Sequence, residues 1–133
     1  MGSKVKKSLG DAAARGDADR VRNLLDDGLK VDAIIDGRYG WTALMYAAFN
    51  GQSVTTKLLI ESSANVNAID NDGNTASTLA ASGNHWEVAE LLAVAGADVT
   101  HPNVKGKSTL DYARHAKQKA FLKKWQPAEP SDT

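Results

Sequence analysis

"DNDGNTASTLAASGNHWEVAELLAVAGADVTH", residues 70–101, places a turn, a short Ala-rich piece and an amphipathic run in one segment. Asp70, Asn71, Asp72 and Gly73 form the turn cluster, since Asn and Asp side chains bond back to their own backbone and Gly accepts a positive φ. "HWEVAELLAVAG" then carries apolar residues at three- and four-residue spacing, the pattern of a helix with one buried face.

The segment repeats. A shift of 33 residues lays "TALMYAA" from Thr42 on "TASTLAA" from Thr75 and then on "STLDYAR" from Ser108. "ANVNAID" from Ala64 falls on "ADVTHPN" from Ala97, and a shift of 35 brings the segment from Ala12 onto that from Ala47. The extra two residues lie in "DGRYGW", residues 36–41. Four units follow, at about residues 5–36, 37–69, 70–102 and 103–125, in a single domain over 1–125 with a disordered tail, "QPAEPSDT", at 126–133. In the second unit "TALMYAAFNG" predicts a short first helix stopped at Gly51, and "SVTTKLLIESS" a second helix with one buried face. No unit can bury its apolar face alone, so stacking must supply the core.

A period near 33 with T-x-x-x-x-A opening the units resembles the ankyrin-repeat family. The quoted segment carries its D-x-x-G-x-T turn, its A-A helix, its G-H-like connection (here Asn84-His85) and its L-L-x-x-x-G-A-D-V ending. The resemblance implies an all-α solenoid of four stacked helix–turn–helix units joined by β-turn fingers, with the outer two units as caps. In size and layout the chain is similar to small stand-alone members such as the myotrophin-type proteins. Departures stand out. Thr-Pro is Thr42-Ala43 and Thr75-Ala76, and the following His is Met45, Thr78 or Asp111, so the Thr–His hydrogen-bond pair is expected to be missing. Ser63 occupies a Gly position and Ser77 a core Leu position; Ser63→Gly and Ser77→Leu are each expected to raise the melting temperature, and the third unit to be the softest. Asn84 fills a Gly position that Asn tolerates.

Composition narrows the functions. With 133 residues and no cysteine, disulfides, thiolate metal sites and thiol nucleophiles are excluded. Lys plus Arg and Asp plus Glu are 16 each, so no overall field favours nucleic acid or membrane. No apolar run reaches a membrane span, "MGSKVKKSLG" lacks a secretory core, and Lys6 breaks the myristoylation pattern. The cytoplasm is expected, with the nucleus also open. His85 fills the position that braces the loop between helices, while His101 and His115 have no second ligand at metal-binding spacing. No serine stands in G-x-S-x-G or S-x-x-K, "NVKGKST" lacks the first glycine of a phosphate loop, and Asp26, Asp27, Asp70 and Asp72 read as turn and solvent residues. No enzyme, cofactor, metal or small-molecule substrate is expected.

A protein partner is. In the family's stack the residue before the Thr, the one in the His slot and the one after A-A line a concave surface. Those are Trp41, Met45 and Phe49, then Asn74, Thr78 and Ser82, then Lys107, Asp111 and His115. The slots are apolar in one unit and polar in the next two, unlike core positions such as Leu59 and Leu92, so they read as facing out. Two alternatives remain open for Trp41 and Phe49: folding back over the insertion or packing on the first cap, or an exposed patch rimmed by Arg38, Tyr39, Asn50, Asp72 and Asn74 that binds a protein. A monomeric adaptor or regulator is the implied role. The second reading is a basic patch in the fourth unit, with Lys105 and Lys107 leading a run up to Lys124, for an acidic protein or nucleic acid.

Overall fold

The structure, a computed structural model, describes residues 2–127. Of the expected tail only Gln126 and Pro127 fall among the described residues; 128–133 lie outside them. The expected all-α solenoid is present. Helices α1 (Gly2–Arg15), α3 (Ala43–Phe49), α5 (Ala76–Ser82) and α7 (Thr109–His115) form an inner row, and α2 (Ala18–Asp26), α4 (Ser53–Glu61), α6 (Trp86–Val94) and α8 (Lys119–Trp125) an outer row. Each helix packs on its own pair mate and on the next helix of its row. Among the described residues the only β feature is an isolated antiparallel bridge between Asp36 and Trp41.

Small side chains set the inner spacing: Ala12, Ala13, Ala47, Ala48, Ala80, Ala81 and Ala113 are all buried, which lets neighbouring backbones approach. Leu9, Leu44, Leu59, Leu92 and Val88 are buried in the same core. Each inner helix ends the same way. The amides of Asp17, Gln52, His85 and Gln118 bond the carbonyls of Ala12, Ala47, Ala80 and Ala113 at 2.8–2.9 Å. The preceding residue closes the turn with a positive φ, and in units three and four it is Asn84 (64°) and Lys117 (58°). Lys117 was not anticipated from the sequence.

The helix starts correct one expectation. The Thr–His pair is replaced rather than lost. Thr75 Oγ1 accepts from the Thr78 amide at 3.2 Å and lies 3.0 Å from the Thr78 hydroxyl. Ser108 and Asp111 form a reciprocal capping box, with the Asp111 carboxylate accepting from the Ser108 amide at 2.9 Å. In the second unit Thr42 caps Met45 at 3.4 Å with no side-chain partner in return, because methionine offers none.

The core bears on a second. Ser77 is fully buried, and its hydroxyl meets that of Thr109 on the next inner helix at 2.8 Å. Leucine there would have to displace this pair, which argues for a loss rather than the expected gain from Ser77→Leu. The polar substitutions of unit three are thus answered by partners. Unit two is less well served, since the buried hydroxyls of Thr55 and Thr56 find none among the described residues. The expectation for Ser63 is retained: it ends α4 at φ 69°, a left-handed conformation. Ser63→Gly should therefore raise stability by about 1 kcal/mol, read as a higher thermal midpoint; an unchanged or lower midpoint would count against the assignment of the turn.

Candidate functional site

Three fingers project beyond the inner row. Each closes on itself, through Ile35 N–H to the Trp41 carbonyl (2.8 Å), Asp70 N–H to Asn74 (2.9 Å) and Asn103 N–H to Lys107 (2.9 Å). Each is then tied to the next. The Asn71 amide bonds the Tyr39 carbonyl and the Val104 amide bonds that of Asp72, both at 2.9 Å, while the Asn71 side chain reaches the carbonyls of Gly37 and Arg38. The fingers therefore form one connected edge.

Asp70 is the hub of that edge, and the sequence reading of it as a solvent residue was incorrect. It is 6% exposed. Oδ1 accepts from the amides of Asp72 (2.9 Å) and Asn74 (2.8 Å), and Oδ2 from Trp41 Nε1 (2.9 Å) and Asn74 Nδ2 (3.3 Å). Asn74 Oδ1 in turn accepts from Asn103 Nδ2 at 2.9 Å. A side chain in one finger thus sets the indole of another.

Around that indole lies an aromatic cluster. The Trp41 ring meets Tyr46 edge-on at 5.1 Å, Phe49 at 5.2 Å and Tyr39 at 6.2 Å. The Arg38 guanidinium stands 5.6 Å from the Tyr39 ring centre. The cluster is mixed in exposure: Trp41 is half-buried and folds onto its neighbours, whereas Tyr39 and Phe49 remain 50% and 43% exposed. Burial, followed by the charges of Asp36 and Asp11, raises the Tyr46 hydroxyl pKa above its ordinary value.

Other expected residues divide. Met45 and Thr78 are each 1% exposed, and so do not face outward as expected; the His-slot position points into the stack, where Met45 packs and Thr78 caps. Arg38, Asn50, Asp72, Ser82, Lys105 and Lys107 are exposed and Asn74 is half-buried. Asp72, Asn74, Ser82 and Lys105 line a trough of about 290 Å³ together with Leu79, Asn103, Val104 and Tyr112. On its other side Tyr112 borders a second hollow of about 280 Å³ with Lys105, Lys107, Asp111 and His115. Tyr46, Leu79 and Tyr112 are not among the residues that the sequence marks as facing out. Their signal was in the repeat: Tyr46, Leu79 and Tyr112 recur at one position, the residue after the His slot. His85 braces its loop by packing, its ring lying where a Cβ on Gly51 or Gly83 would come within 2.5 or 2.7 Å.

The fourth unit holds two acids tightly, its own Asp111 and Glu90 of α6. Hydrogen bonding from the Ser108 backbone, against the effect of burial, keeps the Asp111 carboxyl below its ordinary pKa, with help from the Ser108 hydroxyl and the Arg114 charge. Burial pushes Glu90 up, but hydrogen bonds from Lys124 (2.5 Å) and Trp125 (2.6 Å) and the Lys124 charge outweigh it, so Glu90 is also lowered. Depressed carboxyl pKa values contribute stability above the unfolded values of about 4 and lose it as pH falls through the folded ones. Acidification from pH 7 to about 3 should therefore loosen α7 and α8, and an Asp111→Asn/Glu90→Gln variant should show a shallower fall of melting temperature with pH. Equal slopes for the two proteins would contradict this.

Among the described residues, no three His, Asp or Glu side chains gather closely enough to hold a metal ion, and no helix is long and apolar enough to cross a membrane. What remains is a stack of helix pairs presenting a continuous edge of fingers and an inner face of aromatic, polar and basic side chains: a repeat protein built around a surface. The family model for ankyrin repeats (3 copies) matches residues 9–119, and the chain belongs to the ankyrin-repeat family. It is 35% identical over 94 residues to Ankyrin repeat and SOCS box protein 3 of Homo sapiens, covering 68% of this chain and 18% of that protein. It is 39% identical over 98 residues to Ankyrin repeat, SAM and basic leucine zipper domain-containing protein 1 of Neofelis nebulosa, covering 70% and 19%. The chain thus spans less than a fifth of the length of these relatives. Ankyrin repeats are generally protein–protein interaction modules, and the family is generally non-enzymatic.

Proposed function

We propose that this chain is a non-catalytic adaptor or regulator that binds a protein partner through the concave face and finger tips, centred on the second unit. The observation that carries the reading is the pair Tyr39 and Phe49, large side chains left about half exposed around the half-buried Trp41. Aromatic side chains backed by a rigid floor lose little conformational freedom on binding and commonly anchor interfaces. Asp70 and the finger-to-finger bonds support the same reading, because they hold the patch in place before a partner arrives. The chain is read as a monomer, since α1 exposes Lys4, Lys7, Asp11 and Arg15 at one end and α8 exposes Lys119, Lys123 and Lys124 at the other.

The test is affinity capture from an extract of the source cells, wild type beside Tyr39→Ala/Phe49→Ala. This pair spares Trp41, whose bond to Asp70 makes it part of the scaffold. A protein retained by the first and lost by the second, with melting temperatures matched, is the expected result; a partner held equally by both would remove the site from the second unit. The second reading, an acidic protein or nucleic acid bound by the fourth unit alone, is favoured by the cluster of Lys105, Lys107 and His115. It requires binding that collapses with salt and ignores the aromatic variant.

A further inference from the structure

We infer that the partner segment is an extended acidic peptide with an apolar anchor: the anchor sits on Tyr39 and Phe49, and carboxylates about five residues away enter the basic hollow beside Tyr112. The inference rests on the concave-face reading and gives its occupant a chemistry and a register.

Charge complementarity supplies the first half of the argument. Lys105, Lys107 and His115 surround one side of the Tyr112 ring and are all exposed. Asp111, the one acid in that hollow, is already engaged: Oδ2 accepts from the Ser108 amide and hydroxyl, and Oδ1 from Arg114 at 2.8 Å. Its carboxylate oxygens are therefore occupied from the cap; the Lys107 charge also acts on it, but among the described residues neither lysine Nζ makes a hydrogen bond or ion pair, so both can donate to an incoming carboxylate. The trough that also borders Tyr112 sets the exposed carboxylate of Asp72 against Lys105, so it offers an acidic group less than the hollow, which holds two lysines and a histidine. A bound acid is thus sorted to the Lys107 and His115 side of the ring.

Distance supplies the second half. The aromatic patch belongs to the unit of α3 and the basic hollow to that of α7, with α5 packed between them. Adjacent packed helices lie about 8–10 Å apart, so two steps span roughly 16–20 Å. An extended chain advances about 3.3–3.6 Å per residue, which makes the separation about five residues. Between the two sites the face offers Leu79 and the polar Asn74 and Ser82, with Asp72 and Lys105 lining the same trough, a path suited to an uncharged spacer. A helical segment at about 1.5 Å per residue would need more than twice as many residues to cover the same ground.

The experiment uses the whole chain and fluorescein-labelled synthetic peptides, each a phenylalanine, a Gly/Ser spacer of two, five or nine residues, and three glutamates. Binding is followed by anisotropy. The five-residue spacer should bind about tenfold more tightly than the other two. That advantage should vanish when the glutamates become glutamines, and equally in Lys105→Gln/Lys107→Gln, both exposed positions whose change spares the fold. Binding that depends on Tyr39 and Phe49 but not on the glutamates or lysines would overturn the acidic assignment and leave the concave-face reading standing. Binding that depends on the lysines but survives Tyr39→Ala/Phe49→Ala, or a labelled oligo-dT that binds as well as the best peptide, would overturn both in favour of the fourth unit acting alone. Equal affinity for all spacers, or no saturation by any peptide, would overturn the inference as well.

Discussion

Ser77→Leu should lower the melting temperature, by about 10 °C for a destabilisation of roughly 2–4 kcal/mol in a chain of this size. Two costs combine. A larger side chain must enter a fully buried site against an inner helix that is already in contact, and the Thr109 hydroxyl loses its 2.8 Å partner while remaining buried. The rescue is specific. By the repeat, positions 77 and 109 correspond to Leu9 with Ala43 and to Leu44 with Ala76 in the earlier units, all of them buried. Ser77→Leu/Thr109→Ala recreates the Leu44–Ala76 pair and should regain the loss, with Thr109→Ala alone also destabilising because it strands the Ser77 hydroxyl. Thermal unfolding of the four proteins closes the double-mutant cycle. A double variant as unstable as Ser77→Leu alone would mean that the two residues do not act as a pair.

Asp70→Ala should cost roughly 2–4 kcal/mol, since one carboxylate serves four donors and removing it leaves two backbone amides, an Asn amide and an indole without their acceptor. The effect extends beyond its own finger. Trp41 loses the bond that orients it, so its indole N–H resonance should move toward that of a free indole, and Tyr39 and Phe49 should lose the floor between them. Affinity for a concave-face ligand should drop along with stability, although Asp70 touches no ligand itself. Asp70→Asn, which keeps an acceptor but places an NH2 among donors, should fall between. A wild-type indole shift in Asp70→Ala would show that Trp41 is held by packing alone.

Much of the fold was legible along the chain because the determinants are local and repeat. The 33-residue period, the turn cluster at Asp70–Gly73 and the apolar spacing of α6 define the helices and their number without reference to any neighbour. Ser63 was readable as a strained position for the same reason: its φ of 69° follows from a helix ending that recurs with glycine in the flanking units. Lys117 was not, because lysine carries no local mark of a left-handed conformation; only alignment with Gly51 and Asn84 places it there.

The candidate site was legible only in outline. Tyr39, Trp41 and Phe49 were found, but Met45 and Thr78 were turned outward and Tyr46 and Tyr112 were overlooked. One residue along a helix is a rotation of about 100°, so an error of a single position carries a side chain from surface to core. Which side of an inner helix faces solvent is decided by how closely its neighbours pack, and that depends on alanines 30 or more residues away. The same holds for Ser77, which in isolation reads as a defect and against Thr109 is half of a pair, and for Asp70, whose charge is spent on a tryptophan in another finger. Local chemistry by itself determined the repeat, its helices and its turns. Partnership between units, where a buried polar group either finds its complement across the stack or destabilises it, belonged to the tertiary structure.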